Sequence, residues 1–209
     1  MFDSLIVQFV VLWAVIDPVG SVPVYLAKTV GLPIDDRRKI ARHAVEVAAG
    51  ILVFFLIAGQ FLLEAMQIPL PAFQIAGGIV LFLFALTMIF GESKPEQEIR
   101  LSTNLKELAV YPLAVPSIAS PGAMMAIVLL TDNHRYSIMD QTFTALIMLS
   151  ILIITYLLFI AANRIQSVIG NTGAAIISRV MGLILAAVAV NNVLIGIRDF
   201  FQEIATQAG

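Results

Sequence analysis

Residues 10–27 read VVLWAVIDPVGSVPVYLA, and this stretch decides the fold. It is long and apolar enough to cross a bilayer once, yet Asp17, Pro18, Gly20 and Pro23 sit in its middle. A proline inside a helix lacks an amide donor and clashes with the carbonyl four residues back, here that of Ala14. In hydrocarbon, groups freed in this way are tolerated only where protein or a water-filled cavity satisfies them. Aspartate followed by proline is also a helix-start signature, with Asp17 as N-cap and Pro18 at the first helical position. The stretch thus predicts a span made of two half-helices, the second beginning near mid-membrane.

The rest of the chain fits a membrane protein. Of its 209 residues 60% are hydrophobic and only 12% are charged, with a mean hydropathy of +0.97. Soluble domains carry about twice that charge fraction. A helix needs about 20 apolar residues to span the hydrocarbon core, and six segments qualify: roughly 4–28, 44–64, 71–90, 107–131, 142–162 and 175–197. Pro69 and Pro71 mark a short turn between the second and third. The expected architecture is all-α, in one transmembrane domain over 1–209. The first apolar stretch has neither the basic start nor the small-residue cleavage site of a signal peptide, so it is expected to be retained as a span. The absence of cysteine excludes disulfides and thiolate metal sites.

Charge gives the orientation. Six spans place Lys28, Arg37, Arg38, Lys39, Arg42, Lys94, Arg100, Lys106, Arg164 and Arg179 on one side, and only Arg135 and Arg198 on the other. Basic residues gather on the cytoplasmic side, so both termini are expected outside the cytoplasm. The 37–42 cluster is read as a solvated loop.

A second break echoes the first. Residues 107–130 read ELAVYPLAVPSIASPGAMMAIVLL, with Pro112, Pro116, Pro121 and Gly122. Asp17-Pro18 meets Ser120-Pro121 at an offset of 103 residues, Ala58 and Gln60 meet Ala161 and Asn163 at the same offset, and Gly78 meets Gly182 at 104. Each repeat, about 1–90 and about 107–198 around a linker at about 91–106, holds three spans. An odd number inverts the second repeat relative to the first. Inverted repeats are a recurrent plan of secondary transporters, with the solute site at the midplane between broken helices.

In that arrangement the half-helices after Pro18 and Pro121 point their N-termini at one another. Two positive dipole ends with free amides suit an anionic group such as a carboxylate. The candidate substrate-binding residues are Asp17, Pro18, Gly20, Ser21, Ser120, Pro121, Gly122 and Ala123, whose mostly small side chains imply a compact ligand. Asp17 is also the candidate coupling group, because an intramembrane acid is costly and functional by default; the alternative is that it only caps its half-helix. Gly77, Gly78 and Gly182 are read as sites of close helix packing. Gln60, Gln74, Asn191 and Asn192 are read as interhelical hydrogen-bonding groups, and Trp13 and Tyr25 as core. No cofactor is expected and no H-E-x-x-H zinc motif is present.

These motifs carry a resemblance. Asp17-Pro18-Val19-Gly20-Ser21-Val22-Pro23 resembles the D-P-x-G-x-x-P signature of the MarC family, and Ala76-Gly77-Gly78-Ile79-Val80-Leu81-Phe82-Leu83 its glycine-rich third helix. The stretches Pro112-Leu113-Ala114 to Ser120-Pro121-Gly122-Ala123 and Arg179-Val180-Met181-Gly182-Leu183-Ile184-Leu185-Ala186 resemble its second break and final helix. The resemblance implies six helices in a bacterial or archaeal plasma membrane. Through the family's SnatA-type members it also implies transport of small neutral amino acids such as glycine and alanine. The expected partners are then such a solute and the bilayer, with no nucleic acid. The chain departs from the family at Ser120, usually glycine, at Ser21, often asparagine, and at Asn191, often glutamine.

Three other readings stay open: an exporter of another small metabolite, a passive channel, and an intramembrane enzyme. No ring of pore-lining charge favours the channel. An enzyme built on Ser120 lacks a base, since His43 and His134 belong near opposite faces. The orientation is directly testable: a reporter active only in the cytoplasm should work when fused near Arg38 and fail at the C-terminus. The opposite pattern would reverse the topology.

Overall fold

The structure, a computed structural model, describes residues 2–29, 31–90, 108–133 and 135–207. The 91–106 linker with Lys94, Arg100 and Lys106, and also His134, lie outside the described residues. Helix α1 (Phe2–Ile16) leads directly into α2 (Pro18–Thr29), followed by α3 (Ile34–Ala65) and α4 (Leu70–Phe90). An irregular segment with π-type turns (Ala109–Ile118) precedes α5 (Pro121–Leu130), α6 (Ile138–Ile160) and α7 (Ala162–Gln207). Among the described residues there are no strands.

Five stretches are long and apolar enough to cross a membrane: Leu5–Thr29, Ile34–Ala65, Leu70–Phe90, Ile138–Ile160 and Ala175–Gln202. The segment Ala109–Ile118 and α5, bent by 53°, make a sixth if taken together. The surface is apolar, with Ile57, Phe61, Leu83, Phe90 and Ile153 all exposed. On α3 the buried face is instead Ala41, Ala44, Ala48 and Leu52, at the three-to-four spacing of one helix side.

Two helices run well past their apolar spans. The 37–42 cluster is not a loop: α3 begins at Ile34, ten residues before the expected span, so the cluster lies on its first turns. Asp35 and Asp36 complement the positive helix start. Lys39 pairs with Asp36 at 3.1 Å and Arg42 with Glu46 at 2.7 Å along the exposed side. A helix closes its own hydrogen bonds in water as in lipid, so its ends need not match the hydrocarbon boundary. Helix α7 likewise starts at Ala162 and is interrupted at Gly170, whose φ of +65° favours glycine.

Contacts between distant residues sort the ends of the bundle. Arg37 reaches Asn163, so the start of α3 shares an end with the α6–α7 junction. Arg135 pairs with Asp199, and Gly196 abuts Pro71, at the opposite end. The dominant packing joins the first four helices to the later ones: α4 on α7, α2 on α7 and α6, α3 on α5, α6 and the irregular segment.

The α4–α7 seam depends on two glycines. A Cβ on Gly78 would stand 2.6 Å from Val193 Cγ2 and 2.8 Å from the Ala189 carbonyl oxygen. One on Gly182 would stand 2.9 Å from Met88 Cβ and 3.1 Å from the Ala85 carbonyl oxygen. Small residues that let backbones approach drive helix association in lipid, where burial of apolar surface gains nothing. Leucine at Gly78 or Gly182 should therefore lower thermal stability in detergent by about 1–3 kcal/mol, the usual cost of overpacking. Leucine at Gly50, which faces open space, is the control and should not; equal losses at all three would remove the seam's special status.

Candidate functional site

Asp17 alone separates α1 from α2. Its φ of +47° lies in the left-handed region, which aspartate and asparagine enter more readily than other side chains. The Asp17 amide donates to the Trp13 carbonyl at 2.9 Å, closing α1, and its carbonyl accepts from the Ser21 amide at 3.1 Å, opening α2. Its Oδ1 accepts from the Gly20 amide at 3.0 Å, as an N-cap does. The interruption is confined to this residue, and Leu5–Thr29 runs as one apolar stretch.

The second break takes a longer path. Tyr111 and Val115 adopt extended conformations inside the irregular segment, and the Ala119 amide donates to the Ala114 carbonyl at 2.8 Å. Ser120 is extended, with φ −71° and ψ 157°, and its Oγ accepts from the Ala123 amide at 3.0 Å. Pro121 takes the first helical position of α5.

The two breaks meet. Ser120 Oγ donates to the Val15 carbonyl at 2.9 Å, in the last turn of α1. Ser117 Oγ donates to Ser21 Oγ at 2.9 Å, and Ser21 Oγ donates to the Asp17 carbonyl at 3.0 Å. Asp17 is 2% exposed, and the three serines are fully buried. The result is a buried polar knot, in which the Asp17 carboxylate and the Ser21 and Ser120 hydroxyls hold main-chain groups and Ser117 joins the two helix breaks through Ser21.

Of the residues expected here, Asp17, Ser21 and Ser120 are in the knot, and Pro18, Gly20 and Ala123 are buried beside them. Gly122 faces α4, where an added Cβ would lie 3.1 Å from Leu81 Cδ2. The Pro121 ring is exposed, on the outer side of the first turn of α5. Ser117 was not anticipated as a side-chain partner; its signal was its place three residues before Ser120, ahead of the same Pro-Gly pair. Gln60 and Gln74, read as interhelical hydrogen-bonding groups, are both buried, and neither Oε1 accepts a hydrogen bond among the described residues. Trp13 packs on Phe9, and buried Tyr25 stacks on Phe159 with ring centroids 4.6 Å apart. Among the described residues no group of three or more His, Cys, Asp or Glu side chains is placed to hold a metal ion.

A family described as MarC family integral membrane protein matches residues 2–201. The chain belongs to the MarC family. It is thus a multi-pass membrane protein of a family found in bacteria and archaea. It is 36% identical to the UPF0056 membrane protein MJ1677 of Methanocaldococcus jannaschii, over 92% of this chain and 95% of that one. It is 31% identical to the UPF0056 membrane protein YvbG of Bacillus subtilis, over 99% of this chain and 100% of the relative. The UPF0056 membrane protein PYRAB13050 of Pyrococcus abyssi is also 31% identical, over 93% and 94%. No solved structure matches the chain.

For this MarC-family chain the caps give a stability test. Asparagine takes the left-handed conformation and caps about as well as aspartate, whereas a cap replaced by alanine costs about 1 kcal/mol. Asp17→Asn should barely move the unfolding midpoint and Asp17→Ala should lower it. Ser120→Ala also leaves the buried Val15 carbonyl without its partner, adding about 1–3 kcal/mol. Indistinguishable midpoints for Asp17→Asn and Asp17→Ala would dismiss the capping role.

Proposed function

We propose that this chain is a secondary transporter of small solutes, namely small neutral amino acids of the glycine and alanine type. The observation that carries the proposal is the buried knot joining the two breaks. It places two helix starts side by side inside a membrane bundle, together with a carboxylate. In each helix the N1 proline has no amide and the cap occupies the N3 amide, of Gly20 or Ala123. The first amides of a helix have no intrahelical partner, so a bound carboxylate would meet the N2 amides, those of Val19 and Gly122. Asp17 would face the ammonium of the same molecule and act as the coupling group. Small side chains around both breaks limit the ligand to a compact one. Ser120 both caps α5 and holds Val15, which favours a structural hydroxyl over a nucleophile.

The halves are proposed to be inverted repeats in one domain, both termini outside the cytoplasm. Reciprocal contacts at the α4–α7 seam support the repeat. Gly78 meets Ala189 and Val193, while Gly182 meets Ala85 and Ile89. Shifted by the 104-residue offset, the first set of contacts becomes the second. A self-complementary contact of this kind is what a two-fold axis generates. Such an axis in the membrane plane, with broken helices at the centre, is a transporter plan.

Counterflow of labelled glycine and alanine into proteoliposomes tests the proposal. Both should exchange, and Asp17→Asn protein should insert and fold yet lose gradient-driven uptake. Exchange of another solute class with none of any small amino acid would overturn the substrate assignment, and full gradient-driven uptake by Asp17→Asn would reduce Asp17 to a cap.

A further inference from the structure

We infer that Arg37 is a pin closing the end of the bundle where α2 ends and α3 begins, and that it must let go for solute to pass there; the passage of solute rests on the transport proposal above. In the run Asp35-Asp36-Arg37-Arg38-Lys39 only Arg37 is half-buried while its neighbours are exposed. Its Nε donates to Thr29 Oγ1 at 3.2 Å and its Nη2 to Asn163 Oδ1 at 3.3 Å. Its carbonyl accepts from the Tyr25 hydroxyl at 2.9 Å, and Thr29 Oγ1 donates to the Tyr25 carbonyl at 2.7 Å. Tyr25 in turn stacks on Phe159 of α6. One side chain thereby ties the end of α2, the first turn of α3 and the start of α7.

The pin acts on the helix that forms the site. Helix α2 begins at the Asp17 cap and ends at Thr29, about 18 Å away at 1.5 Å per residue. Displacing α2 from α3, or both together from α7, at this end requires breaking an Arg37 bond. Both side-chain acceptors, Thr29 and Asn163, are neutral, and the Asn163 bond is exposed. Such a contact closes without locking.

The other end of the bundle is built differently. At the 103-residue offset Thr29, Arg37 and Asn163 correspond to Asp132, Asp140 and Gln60. Asp140 turns back to Ser137 in the capping box of α6, and Gln60 Oε1 accepts no hydrogen bond among the described residues. Arg135 lies 3.6 Å from Asp132 and pairs with Asp199, so that end is tied from the α5–α6 connection to α7. Asp140 and the Gln60 oxygen thus do not repeat the parts that Arg37 and the Asn163 oxygen play in the bridge from α2 to α3 to α7.

The chain has no cysteine, so Val24→Cys, buried on α2 between the site and Thr29, serves as a single reporter. Reporter protein in sealed vesicles of each orientation is treated with a membrane-impermeant thiol reagent. Adding Arg37→Ala should speed labelling about fivefold from the side where α2 ends and α3 begins, as expected when a two-state closure loses charge-assisted bonds. Labelling from the other side should stay as it was. Asn163→Ala should give a smaller rise in the same direction, and Arg37→Lys an intermediate one, since one ammonium does not reproduce the guanidinium fork. Gel filtration and melting check each protein, and Asn163→Ala with Thr29→Val carry the test if Arg37→Ala does not fold. Unchanged labelling in folded variants, or an equal rise from both sides, overturns the pin. Counterflow on the same proteins separates the two proposals: active exchange with unchanged labelling sinks the pin alone, while a one-sided rise in a parent that exchanges no solute sinks the transport proposal and leaves the closing contact.

Discussion

The hydrogen bond from Ser120 to the Val15 carbonyl stands for the constraint on which the structure depends: in hydrocarbon no water repairs a broken helix. Each proline inside a span removes a donor, and each unsatisfied main-chain group at that depth costs several kcal/mol. The chain meets this by setting one break against the other. Ser120 caps α5 with one lone pair and satisfies α1 with its proton, while Ser21 passes the hydroxyl of Ser117 on to the Asp17 carbonyl. A serine is small enough to fit between backbones and both gives and accepts. Without the second break the buried Val15 carbonyl would lose the Ser120 hydroxyl.

That mutual dependence extends to the whole bundle. The helices before the linker pack chiefly on those after it, so neither set buries its inner face by itself. The α4–α7 seam closes to backbone distance at Gly78 and Gly182, and α5 lies against α4 with Gly122 facing Leu81 and Phe84. In lipid, where apolar contact with a tail equals apolar contact with a neighbour, such proximity is what holds helices together. The glycines therefore position the breaks, although none belongs to the hydrogen-bonded knot except Gly20, through its amide.

How much of this was legible in the sequence follows from the range of each interaction. Asp17 and Ser120 could be read as caps because a cap reaches only three residues along the chain. The spans could be read because apolar length is a local property, and glycine at 78 and 182 because only a missing side chain permits such packing. The Ser117–Ser21 bond joins residues 96 apart, and nothing local selects Ser117 over another small residue. Arg37 sits in a run of charges with a helical period that the hydropathy of the span does not reveal. The start of α3 was missed for the same reason: a ruler set to the bilayer stops where lipid stops, whereas α3 runs on into water. Pro112 and Pro116 signalled an irregular fourth span without specifying its path, because a proline says which bond is lost and not what replaces it.

Asp17 remains the residue where structure and function have to be weighed together. It turns the chain in one left-handed step, closes α1 through its amide and caps α2 through Oδ1. Asparagine performs each of these three tasks, and it does so without bringing a charge into the membrane. A carboxylate at a helix centre costs about 2.5–3.5 kcal/mol on insertion scales, and the Gly20 amide and the positive start of α2 work against that cost here. Ser120 shows the economical solution at the other break, where a neutral hydroxyl is sufficient. The two breaks therefore differ in charge although their caps serve the same need. The carboxylate is what separates the two caps, and in the transport proposal it is the group that faces the solute's ammonium.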